Sequence, residues 1–289
     1  MSNVVVTGSS GDLGRWVVGA LARAGWRVTC LDHAHPEREL PAGVTAIETD
    51  LTDAGETLEA TLAADPDAVV HLAAVGPEYY APSRVYENNA LAAYHALTAA
   101  GEAGADVVWT SSESVGVGVF AEERFPPEAL PVSVDHACRP EDQYGVSKVA
   151  AEATAEAVAR RYDVPVTTIR PSWIQHPGAY ECTDAGGDDV VNNFWSYVDV
   201  RDVVRLIETA LESPPDGEVT VQAAAADNYV GRPTRDLFAE AFGTVPTPCD
   251  VEGTASALST SNAAATFGWE PEYTSRDGAA DDVGPWDDW

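Results

Sequence analysis

Tyr144 and Lys148 stand four residues apart in Tyr144-Gly145-Val146-Ser147-Lys148. That spacing puts both side chains on one face of a helix. A free phenol has a pKa near 10 and is a poor base at neutral pH. An ammonium about 4 Å away, at an effective dielectric near 20, favours the phenolate by on the order of 4 kcal/mol before solvent losses. This is the scale needed to lower the phenol by up to about three units, so that Tyr144 takes a proton from a hydroxyl. Lys148 is also the single lysine among sixteen basic residues in a chain of 289. A compact point charge beside a phenol is a job that the planar guanidinium of arginine does not do.

A second constellation is Gly8-Ser9-Ser10-Gly11-Asp12-Leu13-Gly14, which follows a β-branched run and opens a periodic helical stretch. Glycines there let the backbone turn tightly and approach a pyrophosphate, whose charge sits at a helix N-terminus. Asp32 closes the second strand, where an acid accepts both ribose hydroxyls of an adenosine and repels a 2′-phosphate. The cofactor expected is therefore NAD. Arg15, His33 and His35 lie close enough in sequence to soften that preference and keep NADP as the alternative. Asp50-Leu51, after the third strand, is placed to meet the adenine, a solvated turn being the other reading.

The elements that must position these groups alternate. Strand signals fall at residues 3–7, 27–31, 45–47, 68–72, 107–110 and 166–169, separated by helical stretches at 13–24, 54–64, 85–104 and 144–162. Such alternation implies an α/β fold with a parallel, doubly wound sheet. Residues 1–172 form the expected dinucleotide-binding domain. Residues 173–289 form a small α/β substrate lobe interleaved with it, placed over the strand ends where ligands of open sheets bind. Within that lobe, 173–195 reads as a loop rich in Gly, Asp and Asn, followed by a helix at 200–212, a strand at 218–223 and a helix at 234–242. The acidic stretch 278–289 carries two tryptophans and is expected to be mobile or to dock by those rings.

Composition narrows the partners. The chain has 47 acidic against 16 basic residues, a formal charge of −31, with 45% apolar residues. Nucleic acid and anionic membrane are poor partners for such a surface. The carboxylates are spread along the chain, which with the near-absence of lysine resembles the proteins of salt-loving archaea. At about 1 M salt the Debye length falls to roughly 3 Å and self-repulsion is screened. No apolar run is long enough to span a bilayer, and the N-terminus has no leader pattern, so a cytoplasmic protein is expected. Cys30, Cys138, Cys182 and Cys249 show no paired spacing, and the histidines show no ligand spacing, so neither a disulfide framework nor a metal site is expected.

The glycine loop, Asp32, Asp50-Leu51, His71-Leu72-Ala73-Ala74, Asn89, Ser111-Ser112, Tyr144-x-x-x-Lys148 and Arg170-Pro171 occur in that order. The series resembles the extended short-chain dehydrogenase/reductase family, the NAD-dependent epimerase/dehydratase group, with its Rossmann-type sheet. Tyr197-Val198-Asp199-Val200-Arg201-Asp202 is similar to a later motif of that family. The resemblance implies Ser112, Tyr144 and Lys148 as catalytic residues. Ser112 would orient the substrate hydroxyl and stabilise oxyanion charge, with Ser111 as the close alternative. Lys148 would also hold the nicotinamide ribose. Implied cofactor contacts are Gly8, Ser10, Gly11, Asp12, Leu13, Gly14, Asp32, Asp50, Leu51, Leu72, Ala73, Ala74, Asn89, Thr110 and Pro171, a helix cap being the other reading of Asn89.

Implied substrate contacts are Ser112, Glu113, Tyr144, Ser172 and Arg232. The stretch from Ser112 to Tyr144 is longer than the family usually has, and residues 120–142 are expected to form an extra loop that covers the site. Ser112-Glu113-Ser114 lacks the acid–acid pair of the family's dehydratases, which disfavours dehydration. The leading expectation is a dehydrogenase oxidising a free aldose or uronate at C1. A nucleotide-sugar 4-epimerase with retained NAD is the alternative, and an NAD-sensing protein without catalysis is the third. Arg201, Arg205, Arg232 and Arg235 are the lobe's candidates for holding a diphosphate. Pairing of two subunits through the helices at 85–104 and 144–162 is the oligomer implied.

Overall fold

Parallel strands and surface helices alternate throughout a computed structural model that describes residues 2–34, 40–184, 191–276 and 278–287. In chain order these are β1 (Asn3–Thr7), α1 (Asp12–Arg23), β2 (Arg27–Asp32), β3 (Val44–Glu48), α2 (Ala54–Ala63), β4 (Ala68–His71), α3 (Pro82–Ala103), β5 (Asp106–Thr110), α4 (Gln143–Tyr162) and β6 (Val166–Pro171). The second half adds β7 (Ile174–Gln175), α5 (Glu181–Asp184), β8 (Val198–Asp199), α6 (Val200–Glu212), β9 (Glu218–Ala223), α7 (Thr234–Phe242) and α8 (Ser261–Phe267). The main sheet has the order β3-β2-β1-β4-β5-β6-β9, every pair parallel. Its strand order reverses between β1 and β4, and the crevice outside the strand ends at that switch point is where a doubly wound sheet takes its ligand.

Both faces of the sheet are covered, which is why β4 and β6 are buried at every residue. One face carries α1 and α6, with Trp16, Val17 and Leu21 meeting Val203, Leu206 and Ile207 in a single apolar cluster. The other carries α3 and α4, whose contact is made of alanines: Ala92, Ala93 and Ala100 against Ala151, Ala155 and Ala159. Small side chains let the helices approach so closely that a Cβ on Gly101 would lie 2.3 Å from the Tyr162 ring. Asp142 starts α4 by accepting from Gly145 N–H at 2.8 Å, which fixes where the Tyr144–Lys148 helix begins.

The chain after residue 172 returns to the sheet through α6 and β9, so the lobe is interleaved with the first domain. The lobe's own core joins Phe194, Trp195, Leu237, Phe238, Val251 and Leu258 to Val117, Leu130 and Val132 from the stretch before α4. Two isolated bridges, Leu130 to Cys249 and Val132 to Leu258, tie that stretch down. Residues 173–195 correct the expectation of a plain loop. They carry β7, paired with β8, and the short α5, held by buried Gln175, whose Oε1 accepts from Cys182 N–H at 2.9 Å. Residues 185–190 of that tract lie outside the described residues. The acidic tail docks: Trp286 packs on the cluster around α1 and α6, and Pro285 occupies the space that a Cβ on Gly19 would need. Trp289 lies outside the described residues.

Candidate active site

The strand ends β1, β2, β3 and β4 border a cavity of about 1170 Å³, lined by Gly8, Ser10, Gly11, Asp32, Asp50, Leu51, Leu72, Ala73 and Ala74. Gly8 has φ +68, and a Cβ there would lie 2.6 Å from Ala73 N; one on Gly14 would lie 2.1 Å from the Gly8 carbonyl. Two of the loop's glycines are therefore required by backbone packing against β4 and α1. Asp32 accepts from Ser10 N–H at 2.9 Å, so the acid at the end of β2 also braces the glycine loop. Its other oxygen accepts from His33 N–H and pairs with the exposed His33 ring at 2.8 Å. Arg15 is held by Asp12 at 2.6 Å, and His35 lies outside the described residues. Ser10 lines this cavity, and its buried Oγ has no partner among the described residues. Size, glycine packing, an orphaned hydroxyl and a carboxylate at the β2 end together fit a dinucleotide.

Asn89 is neither a cap nor a lining group. It sits inside α3, accepts from Val75 N–H at 2.8 Å and donates to the Val75 carbonyl at 3.0 Å. It thereby fixes the backbone after β4, which lines the cavity at Ala74 and Val75. Asp50 turns on itself, accepting from Thr52 N–H and Oγ1, an arrangement that lowers its carboxyl below the usual range. Asp50 and Leu51 both line the cavity.

Ala74 also borders a second cavity of about 640 Å³, which Asp12, Leu13, Ser111, Ser112, Glu113, Tyr144, Pro171 and Ser172 line. Here Ser112 and Tyr144 meet, with Lys148 beside the Tyr144 ring but outside the cavity lining. Ser112 Oγ is hydrogen-bonded to the Tyr144 phenol and accepts from Ser114 N–H at 3.1 Å and Ser114 Oγ at 2.9 Å. Ser111 points elsewhere, donating to Glu152 at 2.7 Å. Glu152 in turn receives two parallel hydrogen bonds from Arg170, at 2.8 Å each. Of the two serines, Ser112 is the one hydrogen-bonded to the Tyr144 phenol. Lys148 Nζ donates to the Thr110 carbonyl at 2.8 Å and lies 5.6 Å from the centre of the Tyr144 ring.

The electrostatics correct one expectation. Burial pushes the Tyr144 phenol up to about 12; the Ser112 hydrogen bond lowers it, and Asp142, Glu78 and Glu113 raise it further. Lys148 is itself lowered to about 8 by burial, with Glu152 opposing. Burial is the largest influence on the phenol, and it opposes the lowering expected from the lysine.

Glu113, next to Ser112, is 5% exposed and accepts from Ser172 Oγ at 2.6 Å. Burial drives its carboxyl up to about 8, against hydrogen bonds from Ser172 and from the Trp173 backbone. Phe120 stacks edge-on to Tyr144 at 5.8 Å and, with Val119, lines the cavity, so the stretch before α4 does reach the site. Glu78, Trp173, His176 and Asn193 are further lining residues. Glu78 carried a usable signal in the sequence, because it follows β4 directly on the ligand side of the sheet. Asn193 carried none: it sits between residues whose spacing forms no pattern.

Arg232 is a correction. It pairs with Glu240 at 2.7 Å on the surface of α7 and lines neither cavity. Arg201 is buried against Asp199 and reaches Asp281; Arg205 joins Asp202 and Glu272; Arg235 donates to the Cys249 carbonyl. The 197–202 motif is a clamp for the C-terminal segment: Asp202 accepts from Glu272 and Tyr273 N–H, and Tyr197 Oη accepts from Ser275 N–H.

A model of the NAD dependent epimerase/dehydratase family matches residues 4–186. Among characterised proteins, the chain is 34% identical over 180 residues to an L-arabinose 1-dehydrogenase (NAD(P)(+)) of Haloferax volcanii, covering 60% of this chain and 68% of that protein. It is 27% identical over 228 residues to the NAD-dependent glucose-6-phosphate dehydrogenase of the same organism, covering 75% and 82%. The solved structure of UDP-glucose 4-epimerase with UDP-glucose from Thermotoga maritima superposes with a TM-score of 0.72 at 23% identity, over 96% of each chain. That likeness establishes the fold.

Proposed function

The chain belongs to the NAD-dependent epimerase/dehydratase family, and we propose that it oxidises a hydroxyl of a free sugar, at C1 of an aldose or uronate, with NAD as cofactor. One observation carries the choice of a free sugar. No arginine or lysine is among the described residues lining the catalytic cavity, whereas Asp12, Glu78 and Glu113 are. A nucleotide diphosphate needs several cationic groups, and Arg201, Arg205, Arg232 and Arg235 are engaged with carboxylates and backbone outside the cavity lining. The 34% likeness to an arabinose 1-dehydrogenase points the same way.

In this reading Ser112 Oγ orients the substrate hydroxyl and Tyr144 takes its proton. Lys148, anchored on the Thr110 carbonyl, supplies positive charge beside the phenol. NAD supplies hydride acceptance and, in its oxidised ring, a second positive charge. Gly8, Ser10, Gly11 and Asp32 would hold its diphosphate and adenosine ribose, and the Asp32 carboxylate favours NAD over NADP. Exposed Tyr86, Leu91 and Tyr94 on α3 with Val146 on α4 are the face on which a second copy would pair. No helix among the described residues is long and apolar enough to cross a membrane.

The test is reduced-cofactor formation, followed by its absorbance, with free aldoses, uronates and UDP-sugars. Growth of signal with a free sugar is expected, and Tyr144→Phe should abolish it while cofactor binding persists. Interconversion of UDP-sugars without net reduction would replace this reading with the epimerase, and inertness toward all of them would leave a cofactor-binding protein.

A further inference from the structure

We propose that the sugar is uncharged or cationic, and that Glu113 is the residue that selects it over uronates and sugar phosphates. This rests on the reading of the cavity as a free-sugar site and narrows it. Glu113 borders the cavity beside Ser112 and Tyr144, at the place where the substrate's reacting hydroxyl must come. It is fixed from behind: Ser172 Oγ donates to it at 2.6 Å and the Trp173 backbone adds a second hydrogen bond. A carboxyl held this way does not swing aside for an incoming anion. It presents oxygen to sugar hydroxyls, which both donate and accept.

The rest of the wall gives an anion no relief. Glu78, on the segment after β4, is close enough to Tyr144 to raise its phenol, and Asp12 lines the rim with its own Arg15 partner. Lys148 is spent on the Thr110 carbonyl and the Tyr144 ring. His176 is driven toward its neutral form by burial. A carboxylate or phosphate on the substrate would enter a cavity that three acidic side chains line and no arginine or lysine among the described residues lines, a built-in repulsive element of the kind that sets specificity. A neutral aldose of the same ring size meets only hydrogen-bonding groups.

The experiment compares kcat/KM for a neutral aldose and for the uronate of matching configuration, at a pH above about 8, the value to which burial pushes Glu113. The wild-type protein should favour the aldose by about a hundredfold, the scale of one unit charge repelled at about 6 Å in an effective dielectric near 20. Glu113→Gln, which keeps the shape and removes the charge, should shrink that ratio at least tenfold. Glu78→Gln, on a more exposed segment, should shrink it less. Calorimetric binding of both sugars to Tyr144→Phe with cofactor present reads the same preference without turnover. A wild-type preference for the uronate, or a ratio unmoved by both substitutions, overturns the proposal. If Glu113→Gln does not fold, the wild-type ratio and Glu78→Gln decide. Absence of turnover with every free sugar, with UDP-sugars interconverted, would instead be failure of the free-sugar reading.

Discussion

Replacing Lys148 by Met tests whether the lone ammonium supports the base or merely holds a ribose. Nζ lies 5.6 Å from the centre of the Tyr144 ring, with Lys148 buried and Tyr144 partly buried. At an effective dielectric near 20, a unit charge at that distance stabilises developing phenolate by roughly 3 kcal/mol. Loss of that term slows proton abstraction by about a hundredfold. The expected outcome for Lys148→Met is a fall in kcat of about that size with saturating cofactor, and a rise in the pH at which activity appears. Cofactor affinity, measured separately by fluorescence titration, should weaken much less. Lys148→Arg should not rescue kcat. Nζ is wedged 2.8 Å from the Thr110 carbonyl and 5.7 Å from the centre of the Trp109 ring, and a forked guanidinium does not occupy that point without moving one of them. A Lys148→Met enzyme with near-wild-type kcat and an unshifted pH profile, but weakened cofactor binding, would refute the electrostatic role.

Gly14→Ala sets a Cβ 2.1 Å from the Gly8 carbonyl, so it should destabilise the fold by about 1–3 kcal/mol and cripple cofactor binding; Gly116→Ala, whose Cβ meets its first neighbour at 4.0 Å, is the control in a melt. His71 is driven down to about 3 by burial, with Lys148 adding to the effect. The unfolded chain therefore binds its proton below about 6.5 and the folded one does not, so stability is full above that pH and falls toward pH 3. His71→Gln should flatten this acid limb in pH-dependent unfolding, and an unchanged limb would assign it to other groups. Glu113 acts in the opposite sense: its carboxyl, raised to about 8, contributes stability below its ordinary value near 4.5 that is lost as the pH rises through 8. With a formal charge of −31, activity and melting temperature should rise with salt to above about 1 M; an activity maximum in dilute buffer would contradict the halophilic reading.

What the sequence disclosed was local. Periodicity located α6 and α7 at the residues where they are found, and a β-branched run located β1, because each element's pattern is written within its own span. The glycine loop and the Tyr144–Lys148 spacing are equally local, and both stand where the pattern put them. The errors arose from contacts between distant residues. Arg232 looked available until Glu240 was seen beside it. The bond from Ser172 to Glu113 spans 59 positions, and the bridge from Leu130 to Cys249 makes a stretch before α4 part of the lobe's core. No spacing rule forecasts either.

The Tyr144 phenol shows why such contacts decide the chemistry as well as the fold. The motif correctly gives the sign of one influence, an ammonium favouring the anion. Phe120 edge-on to the ring, and Glu78 and Glu113 near enough to raise the phenol, come from three separate segments. Burial and those negative charges act on the same oxygen in the opposite direction. A four-residue spacing can name the base; how basic it is depends on what the rest of the chain folds over it.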